Sequence, residues 1–240
     1  MSTNNEDIGD SILKQYKIEQ QLRPLLNKKL EDAIKKIDFN RHNIQNPSIG
    51  LHLLKKRDIV LIEGGGGGST RDLLNWVAKG GAKKVVTVDL CLASGEAVTL
   101  EDGTKTLSGA GDYRSKKELF AQLQTDVDIS KIFDYYCEDL RTFWLRMQAN
   151  IEFRKRILCG KTTVDYYFDD ATHDWRYLIP LFENIISICS PGAVLGTHDA
   201  AEEEMKRFVS WLEVHPRVAK TIRTDDSMFI ILKEDENENT

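Results

Sequence analysis

The chain has 240 residues, enough for one α/β domain with elaborations, and a formal net charge of −5. This acidic balance argues against the basic face of a general nucleic-acid binder, and no apolar run approaches the roughly twenty residues of a membrane span. The first residues lack the basic and apolar regions of a secretion signal, so we expect a cytoplasmic protein. The cysteines are widely separated and form no CxxC pair, which predicts reduced thiols at Cys91, Cys137, Cys159 and Cys189.

An N-terminal helical segment precedes the first predicted strand. Apolar residues recur at near-helical spacing from residue 11 to about residue 37, and Pro24 is expected to divide them into two helices. We assign residues 1–48 to this segment, residues 49–233 to the main domain and residues 234–240 to a disordered acidic tail. The segment is a lid over the site, a homo-oligomer face or plain packing, and the sequence does not choose between these.

Five consecutive glycines, Gly64–Gly68, are the most informative feature of the chain. They follow the apolar run 59–62 and Glu63, and a helical stretch begins at Ser69. Only glycine lets a chain turn sharply at positive φ while leaving no Cβ in the way of a ligand. A linker is also rich in glycine, but it is not bracketed by a buried strand and an amphipathic helix. Strand 58–63, glycine loop and helix 69–79 therefore predict the ligand-binding turn of a doubly wound α/β domain.

The second predicted strand ends in an acid. After the helix stop at Gly80-Gly81, the β-branched run 84–89 closes with Asp89. An acid at this position of a βαβ unit can accept hydrogen bonds from two ribose hydroxyls. An ordinary cap or turn role for Asp89 is the alternative, but Asp89 and the glycine loop together favour a nucleotide-type ligand.

Residues 92–130 are too long for a usual connection and are interpreted as an insertion. Residues 97–100 and 104–107 flank Asp102-Gly103 and predict a β-hairpin. A helix is expected from Ser115, where Ser115 and Glu118 have the spacing of a capping box. Such an insertion shapes a substrate pocket or forms a surface flap, and both interpretations stay open.

The remaining chain alternates between strands and helices. Strands are expected at 132–137, 163–168, 193–197, 218–223 and 228–233, and helices at 140–158, 175–189 and 200–213. The last two strands form a hairpin, so the final strand is antiparallel. The dinucleotide-binding sheet of a dehydrogenase consists, in contrast, of two halves whose strands are all parallel. The predicted fold class is a doubly wound, Rossmann-like α/β sheet, mostly parallel with an antiparallel last strand. The charge run 202–204 is interpreted as a solvated helix face.

Several of these residues carry a family likeness. Glu63-x-Gly65-x-Gly67-x-Ser69, with Asp89 at the end of the second strand, resembles the first two motifs of class I S-adenosylmethionine-dependent methyltransferases. Ser190-Pro191-Gly192-Ala193 is similar to the proline-glycine turn before the fifth strand of that family, and the closing hairpin matches its fold. The resemblance covers roughly residues 55–233 and implies an enzyme that binds S-adenosylmethionine.

The resemblance also implies roles for single residues at the cofactor. Gly65 and Gly67 would face the methionine portion, and Asp89 the ribose. Glu138 and Asp139 follow the third strand, where the family often recognises adenine; which of them does so is open, and either could cap a helix instead. The implied cofactor-binding set is Glu63, Gly64, Gly65, Gly67, Ser69, Asp89, Glu138, Asp139 and Asp169.

A second, narrower likeness concerns chemistry. The segments 168–174 and 196–199 resemble a branch that includes macrolide sugar O-methyltransferases and cephalosporin-hydroxylase-like proteins, in which a D-x-x-H segment and an acid pair hold a divalent cation beside a catalytic histidine. The likeness implies that Asp170 and Asp199 bind metal, that Asp170 also belongs to the catalytic pair, and that His173 is the general base. His198 stands where the branch usually has an acid and is the third expected metal ligand; a histidine there favours softer ions than Mg²⁺, or the metal is absent altogether. Asp169 is the competing carboxylate if the register is shifted by one.

The residues themselves support this grouping, because the ends of adjacent parallel strands meet at one edge of a sheet. Carboxylates and imidazoles converging there can bind a hard or borderline cation, while a histidine removes the proton of a bound hydroxyl. The alternative is a strand-end aspartate beside a packed or exposed histidine.

The leading prediction is an S-adenosylmethionine-dependent methyltransferase that acts on a small molecule, at a hydroxyl group, with optional divalent-metal assistance. A NAD-dependent oxidoreductase is an alternative, since the same glycine loop and Asp89 would serve NAD, although no Tyr-x-x-x-Lys pattern is evident. A non-catalytic domain of the same fold is the third interpretation.

Overall fold

The computed structural model describes residues 47–54, 58–66, 68–78, 80–90, 97–99, 105–107 and 129–234, all within the compact unit Gln45–Thr240. The predicted N-terminal helices, the helix expected from Ser115, Gly67 and residues 235–240 of the predicted tail lie outside the described residues. Among the helices that are described, none is long and apolar enough to cross a membrane.

The strands of the main sheet are short runs rich in β-branched and aromatic residues. The strands are β1 Val60–Gly64, β2 Lys84–Asp89, β3 Ala97–Thr99, β4 Lys105–Leu107, β5 Phe133–Cys137, β6 Val164–Asp169, β7 Cys189–Thr197, β8 Val218–Arg223 and β9 Met228–Leu232. Every residue of β1 and β6 is buried, as expected for central strands that are covered on both faces.

Seven strands form one sheet in the order β5-β2-β1-β6-β7-β9-β8. The first five pair in parallel, whereas β9 is antiparallel to both β7 and β8. The order reverses at β1, so the carboxyl ends of β1 and β6 flank the switch point where such sheets bind ligands. The predicted fold class is confirmed. The predicted hairpin of the insertion is also present, as β3 paired with β4.

The helices are α1 Pro47–Leu53, α2 Gly68–Ala78, α3 Ile129–Ile132, α4 Leu140–Ala149, α5 Ile151–Ile157, α6 Trp175–Ser187 and α7 Lys206–Val214. The single helix predicted over 140–158 is two helices. Asn150 ends α4, and its side chain accepts a hydrogen bond from the Phe153 N–H at 2.9 Å. The break follows because this side chain caps α5 in place of a continuing helical turn.

The segment after β7 also differs from the prediction. The helix predicted over 200–213 begins only at Lys206, and residues 200–205 form turns. The turn segment starts after Asp199, which has a left-handed φ of 51°. The Ala200 N–H donates to the Asp226 carbonyl at 2.9 Å, so the segment is tied to the β8–β9 turn. The residues after β7 therefore approach the strand ends as turns and not as a helix.

Helix α1 packs against β7 and belongs to the core. The Tyr166 hydroxyl donates to the Pro47 carbonyl at 3.0 Å, and Leu51 is 2% exposed. Gly50 lies so close to the ring of Phe229 that a Cβ would be 2.7 Å from it. This short helix therefore covers part of one face of the sheet, at β7.

Cys137 is disulfide-bonded, so the prediction of reduced thiols is wrong for this cysteine. Cys159 and Cys189 are free thiols, the first exposed and the second buried. Sequence spacing reveals only local pairs such as CxxC, and it carries no information on distant cysteines that meet after folding.

Candidate active site

The glycine loop follows β1 and is pressed against the segment that follows β6. Gly65 has a φ of 78°, and its N–H donates to the Val88 carbonyl at 2.9 Å. A Cβ on Gly65 would lie 2.4 Å from the Asp170 carbonyl oxygen, so a larger residue requires one of the two segments to move. The Asp170 N–H donates to the Gly64 carbonyl at 2.8 Å. The loops predicted to bind cofactor and cation therefore contact each other directly.

Asp89 lies at the end of β2, as predicted, and reaches the glycine loop. One of its carboxylate oxygens accepts a hydrogen bond from the Gly66 N–H at 2.8 Å. The carboxylate thus braces the loop at the sheet edge where a nucleotide-like ligand would lie. This supporting role was not evident from the sequence, and the ribose contact stays a prediction.

Glu63 is fully buried in β1 and contacts three hydroxyl groups. Ser69 and Thr70 at the start of α2 donate to its carboxyl oxygens, and Thr87 of β2 does so at 2.9 Å. Burial raises the pKa of Glu63 to about 8, although the three hydroxyls act in the opposite direction. These contacts fix the start of α2 against β1 and β2. Direct cofactor contacts by Glu63 and Ser69 stay a prediction.

Asp169 ends β6 and is 1% exposed. The Tyr167 hydroxyl donates to its Oδ1 at 2.6 Å, and a Cβ on Gly64 would lie 2.9 Å from the same oxygen. Burial raises the pKa of Asp169 to about 7 despite the hydrogen bond from Tyr167. Its other oxygen, Oδ2, is buried and has no hydrogen-bond partner among the described residues. A buried carboxylate oxygen without a partner suits a ligand that brings a donor or a positive charge.

Asp170, His198 and Asp199 form a compact cluster, the donor group, at the ends of β6 and β7. His198 Nδ1 lies 3.2 Å from Asp170 Oδ1 and 3.0 Å from Asp199 Oδ2. Neither contact has hydrogen-bond geometry, so this buried nitrogen lacks a hydrogen-bond partner within the described part of the chain. The His198 N–H donates to the Asp169 carbonyl at 2.9 Å, which joins the two strand ends. The structure brings together the three residues predicted to bind a metal.

The electrostatics of the donor group favour a cation. Burial raises the pKa of Asp170, and His198 acts in the opposite direction. Burial lowers the pKa of His198, but the carboxylates of Asp170 and Asp199 outweigh it, so the net shift is upward. One imidazole nitrogen and two carboxylate oxygens are suitable ligands for Mg²⁺, Mn²⁺ or Zn²⁺. The residues present therefore fit a divalent cation.

His173 lies between β6 and α6, with a carboxylate at each ring nitrogen. Its Nε2 is 2.9 Å from Asp199 Oδ2, and its Nδ1 is 2.8 Å from Glu202 Oε2. The side chain is 40% exposed, so a substrate can reach the ring. These three residues could also hold a cation, sharing Asp199 with the donor group. Sequence reasoning missed Glu202 because the run 202–204 was interpreted as a solvated helix face.

Glu138 and Asp139 follow β5, as predicted, and both have partners within the protein. Asp139 caps α4 by accepting from the Thr142 N–H at 3.1 Å, and it accepts the Tyr177 hydroxyl at 3.0 Å. Glu138 pairs with Arg146. The helix-cap interpretation therefore holds for Asp139, and adenine recognition by either acid stays a prediction.

No protein-family model matches the chain, and no curated protein matches it in sequence. Solved structures do match. The O-methyltransferase TomG from Streptomyces achromogenes, involved in tomaymycin synthesis and solved with SAM, gives a TM-score of 0.50 at 16% identity, covering 86% of this chain and 88% of that chain. Cofactor-bound Rv0187 from MTB gives 0.50 at 16% identity, covering 98% and 100%. The MycE methyltransferase from the mycinamycin biosynthetic pathway, solved with Mg and SAH, gives 0.50 at 13% identity, covering 88% and 56%.

Identities this low establish a shared fold and leave the substrate open. The strand order and the antiparallel β9 are consistent with that fold. The chain therefore has the fold of the S-adenosylmethionine-dependent O-methyltransferases, as the resemblance in its sequence predicted.

Proposed function

We propose that the chain is an S-adenosylmethionine-dependent methyltransferase that methylates a hydroxyl group of a small molecule. The observation that carries the proposal is the contact of Gly65 with the backbone of Asp170, which joins the glycine loop and the donor group in one site. Proteins of the same fold lend support, since TomG is an O-methyltransferase in complex with SAM and MycE is a methyltransferase in complex with Mg and SAH.

The cofactor side of the site consists of the glycine loop, Asp89 and Asp169. When bound, S-adenosylmethionine supplies a methyl group on a positively charged sulfur and leaves as S-adenosylhomocysteine. Asp89, which contacts the glycine loop, would also accept hydrogen bonds from the ribose hydroxyls, and the buried Oδ2 of Asp169 would accept one from the amino group of the cofactor. A positively charged ligand offsets the cost of burying this carboxylate.

The substrate side of the site is the donor group. Asp170 and Asp199 would supply oxygen ligands to a divalent cation, and His198 a nitrogen ligand. A cation held there would favour the deprotonated form of a substrate hydroxyl. The imidazole in the set shifts its preference from Mg²⁺ towards softer ions such as Mn²⁺ or Zn²⁺.

His173 is the proposed general base. Its half-exposed ring borders the donor group through Asp199. Its imidazole would take up the proton that the substrate hydroxyl loses when it receives the methyl group. Alignment of the nucleophile is the main requirement, and a general base typically adds about 10²–10⁴-fold.

The two alternative functions are less well supported. For the NAD-dependent oxidoreductase, the contrary observation is the sheet: β9 lies between β7 and β8 and is antiparallel to both. The dinucleotide-binding sheet of a dehydrogenase has parallel strands throughout. Against a non-catalytic domain stands the accessible histidine, which lies beside three residues that could bind a metal.

Thermal unfolding with S-adenosylhomocysteine, with NAD and with neither tests the proposal. We expect S-adenosylhomocysteine alone to raise the Tm by several degrees, because a ligand at about a hundred times its Kd stabilises by about 2.7 kcal/mol. Treatment with EDTA followed by Mg²⁺ or Mn²⁺ should reveal a separate, cation-dependent rise. Stabilisation by NAD in place of S-adenosylhomocysteine would contradict the proposal.

Matched variants make this test specific. Asp89→Ala should remove most of the shift with S-adenosylhomocysteine and keep the cation-dependent shift. Asp170→Asn should do the reverse. Asp134→Ala is the control, since Asp134 is an acid of the sheet that pairs with Lys84 and belongs to neither part of the site.

A further inference from the structure

We propose that Tyr167 is a positioning residue for cofactor binding. Its hydroxyl donates to Oδ1 of Asp169 at 2.6 Å and thereby leaves Oδ2 as the acceptor for a ligand. The group that Oδ2 would accept is the amino group of S-adenosylmethionine or S-adenosylhomocysteine, so the inference rests on the proposed function. It goes beyond that function because it names the residue that makes the site selective for a cofactor with this amino group.

The strands place Tyr167 and Asp169 together beside the first glycine of the loop. Side chains two residues apart in a strand point to the same face of the sheet, and β1 brings Gly64 opposite Asp169 in the parallel register. A Cβ on Gly64 would lie 2.5 Å from the Tyr167 hydroxyl and 2.9 Å from Asp169 Oδ1. Oδ1 therefore lies against both Tyr167 and the backbone of Gly64, and Oδ2 is the oxygen left for a ligand.

Two aromatic neighbours fix the ring of Tyr167. Trp144 of α4 packs edge-on against it at a centroid distance of 5.1 Å, and Phe182 of α6 does so at 5.6 Å. All three side chains are fully buried in the core. In so dense a surrounding the hydroxyl cannot follow a carboxylate that rotates away. The hydrogen bond from Tyr167 therefore favours one orientation of the Asp169 carboxylate.

The fixed orientation has a consequence for binding. Asp169 Oδ2 is buried and has no hydrogen-bond partner among the residues that the structure describes. Such an oxygen binds best a group that brings both a donor and a positive charge, as an ammonium does. Because Tyr167 already orders the carboxylate, the ligand does not have to order it on binding. Without the hydroxyl, rotation about the last side-chain torsion of Asp169 would exchange the two oxygens.

Isothermal titration calorimetry with two ligands tests the inference. The ligands are S-adenosylhomocysteine and its analogue in which hydrogen replaces the amino group. Tyr167→Phe should weaken S-adenosylhomocysteine by about 10–100-fold, as expected for a weakened hydrogen bond to a charged group, and leave the affinity for the analogue unchanged. Tyr166→Phe is the matched control, since Tyr166 is equally buried in β6 and its hydroxyl donates to the Pro47 carbonyl. This control should keep the wild-type preference for S-adenosylhomocysteine.

Asp169→Asn tests whether Tyr167 acts through Asp169. Asparagine retains an oxygen that can accept from Tyr167 but lacks the negative charge, so both ligands should bind this variant equally. Adding Tyr167→Phe to it should then cause no further loss of affinity.

Three results would overturn the inference alone while S-adenosylhomocysteine still binds the wild type. They are an unchanged preference in Tyr167→Phe, an equal loss for both ligands in that variant, and a further loss when Tyr167→Phe is added to Asp169→Asn. Failure of the wild type to bind S-adenosylhomocysteine would overturn the proposed function, and this inference with it.

Discussion

Two buried carboxyl groups, Glu63 and Asp169, differ in their partners and therefore in their roles. Three hydroxyls satisfy Glu63, whereas Asp169 Oδ2 has no hydrogen-bond partner within the described residues. Burial raises the pKa of both groups, to about 8 for Glu63 and about 7 for Asp169. Burial therefore favours the protonated form of Glu63, and its contacts lie within the protein. Asp169 is the one of the two with an oxygen that a ligand could contact.

Glu63→Gln should flatten the dependence of stability on pH. Burial raises the pKa of Glu63 in the folded protein to about 8, whereas the unfolded chain releases this proton near the ordinary pKa of 4.5. The contribution of Glu63 to the unfolding free energy is therefore fully present below the pKa of the unfolded chain. It is lost as the pH rises through the pKa of the folded protein, by on the order of a few kcal/mol. Urea unfolding at about pH 5 and about pH 8 should show this loss in the wild type and a smaller loss in the variant, in which the raised pKa of Asp169 still contributes. The exposed control Glu204→Gln should follow the wild type; an equal slope in Glu63→Gln would show that Glu63 is charged.

At the scale of elements, the unit formed by β1, the glycine loop and α2 depends on two kinds of glycine. Gly65 and Gly80 both have positive φ, of 78° and 75°. A Cβ on Gly65 would collide with the Asp170 carbonyl, whereas a Cβ on Gly80 would meet nothing within 4 Å. Gly80 is needed only for its turn at the end of α2. Gly65 is needed for the turn and for the approach of the loop to the β6 segment.

Gly65→Ala and Gly80→Ala separate these two requirements. Gly80→Ala should cost about 1–2 kcal/mol of unfolding free energy from its backbone conformation and leave the affinity for S-adenosylhomocysteine intact. Gly65→Ala should cost more and lose measurable binding, because the loop must move away from Asp170. Chemical denaturation and isothermal titration calorimetry measure the two effects. If the two variants had equal unfolding free energies and both still bound S-adenosylhomocysteine, the contact between Gly65 and Asp170 would not be required.

At the scale of the molecule, the two ends of strand β6 carry acids with different hydrogen-bond partners. Strand β6 carries Asp165 near its start and Asp169 at its end. Asp165 accepts the Ser190 hydroxyl at 2.6 Å and lies 3.6 Å from Lys161 Nζ. Asp169 keeps an oxygen without a hydrogen-bond partner in the described part of the chain. Of these two acids of β6, only Asp169, at the carboxyl end of the strand, has a buried oxygen that a ligand could contact.

Leu51→Ala tests whether α1 is integral to this architecture. Leu51 is 2% exposed in a helix that covers β7, so its truncation should lower the unfolding free energy by about 2–5 kcal/mol. Val214→Ala is the matched control, since Val214 is 79% exposed and its truncation should change stability by less than about 0.5 kcal/mol. Urea unfolding measures both. Equal small effects would show that α1 does not contribute to the core.

Local patterns made much of this fold predictable. The strand, glycine loop and helix at residues 58–79 could be predicted because each has a sequence pattern that spans only a few residues. The bounds of β2 and β8 agree with the predicted 84–89 and 218–223. Asp170, His198 and Asp199 could be grouped because each follows a strand whose end faces the same edge.

Features that depend on contacts between distant segments were not predictable. Glu202 reaches His173 only because residues 200–205 form turns, and three glutamates in a row resemble a solvated helix face. Asp89 contacts Gly66, and Glu63 contacts Thr87, across neighbouring strands. The disulfide at Cys137 has no local signature. These arrangements arise from packing, which periodicity does not encode.

The contact between Gly65 and Asp170 has a thermodynamic consequence. The backbone of Asp170 rests on the loop that would receive the cofactor, while its side chain belongs to the group that would receive a cation. A ligand that moves this shared segment when it binds would therefore change the affinity of the protein for the other ligand. Linkage then requires reciprocity: the factor by which a cation changes the affinity for the cofactor equals the factor by which the cofactor changes the affinity for the cation.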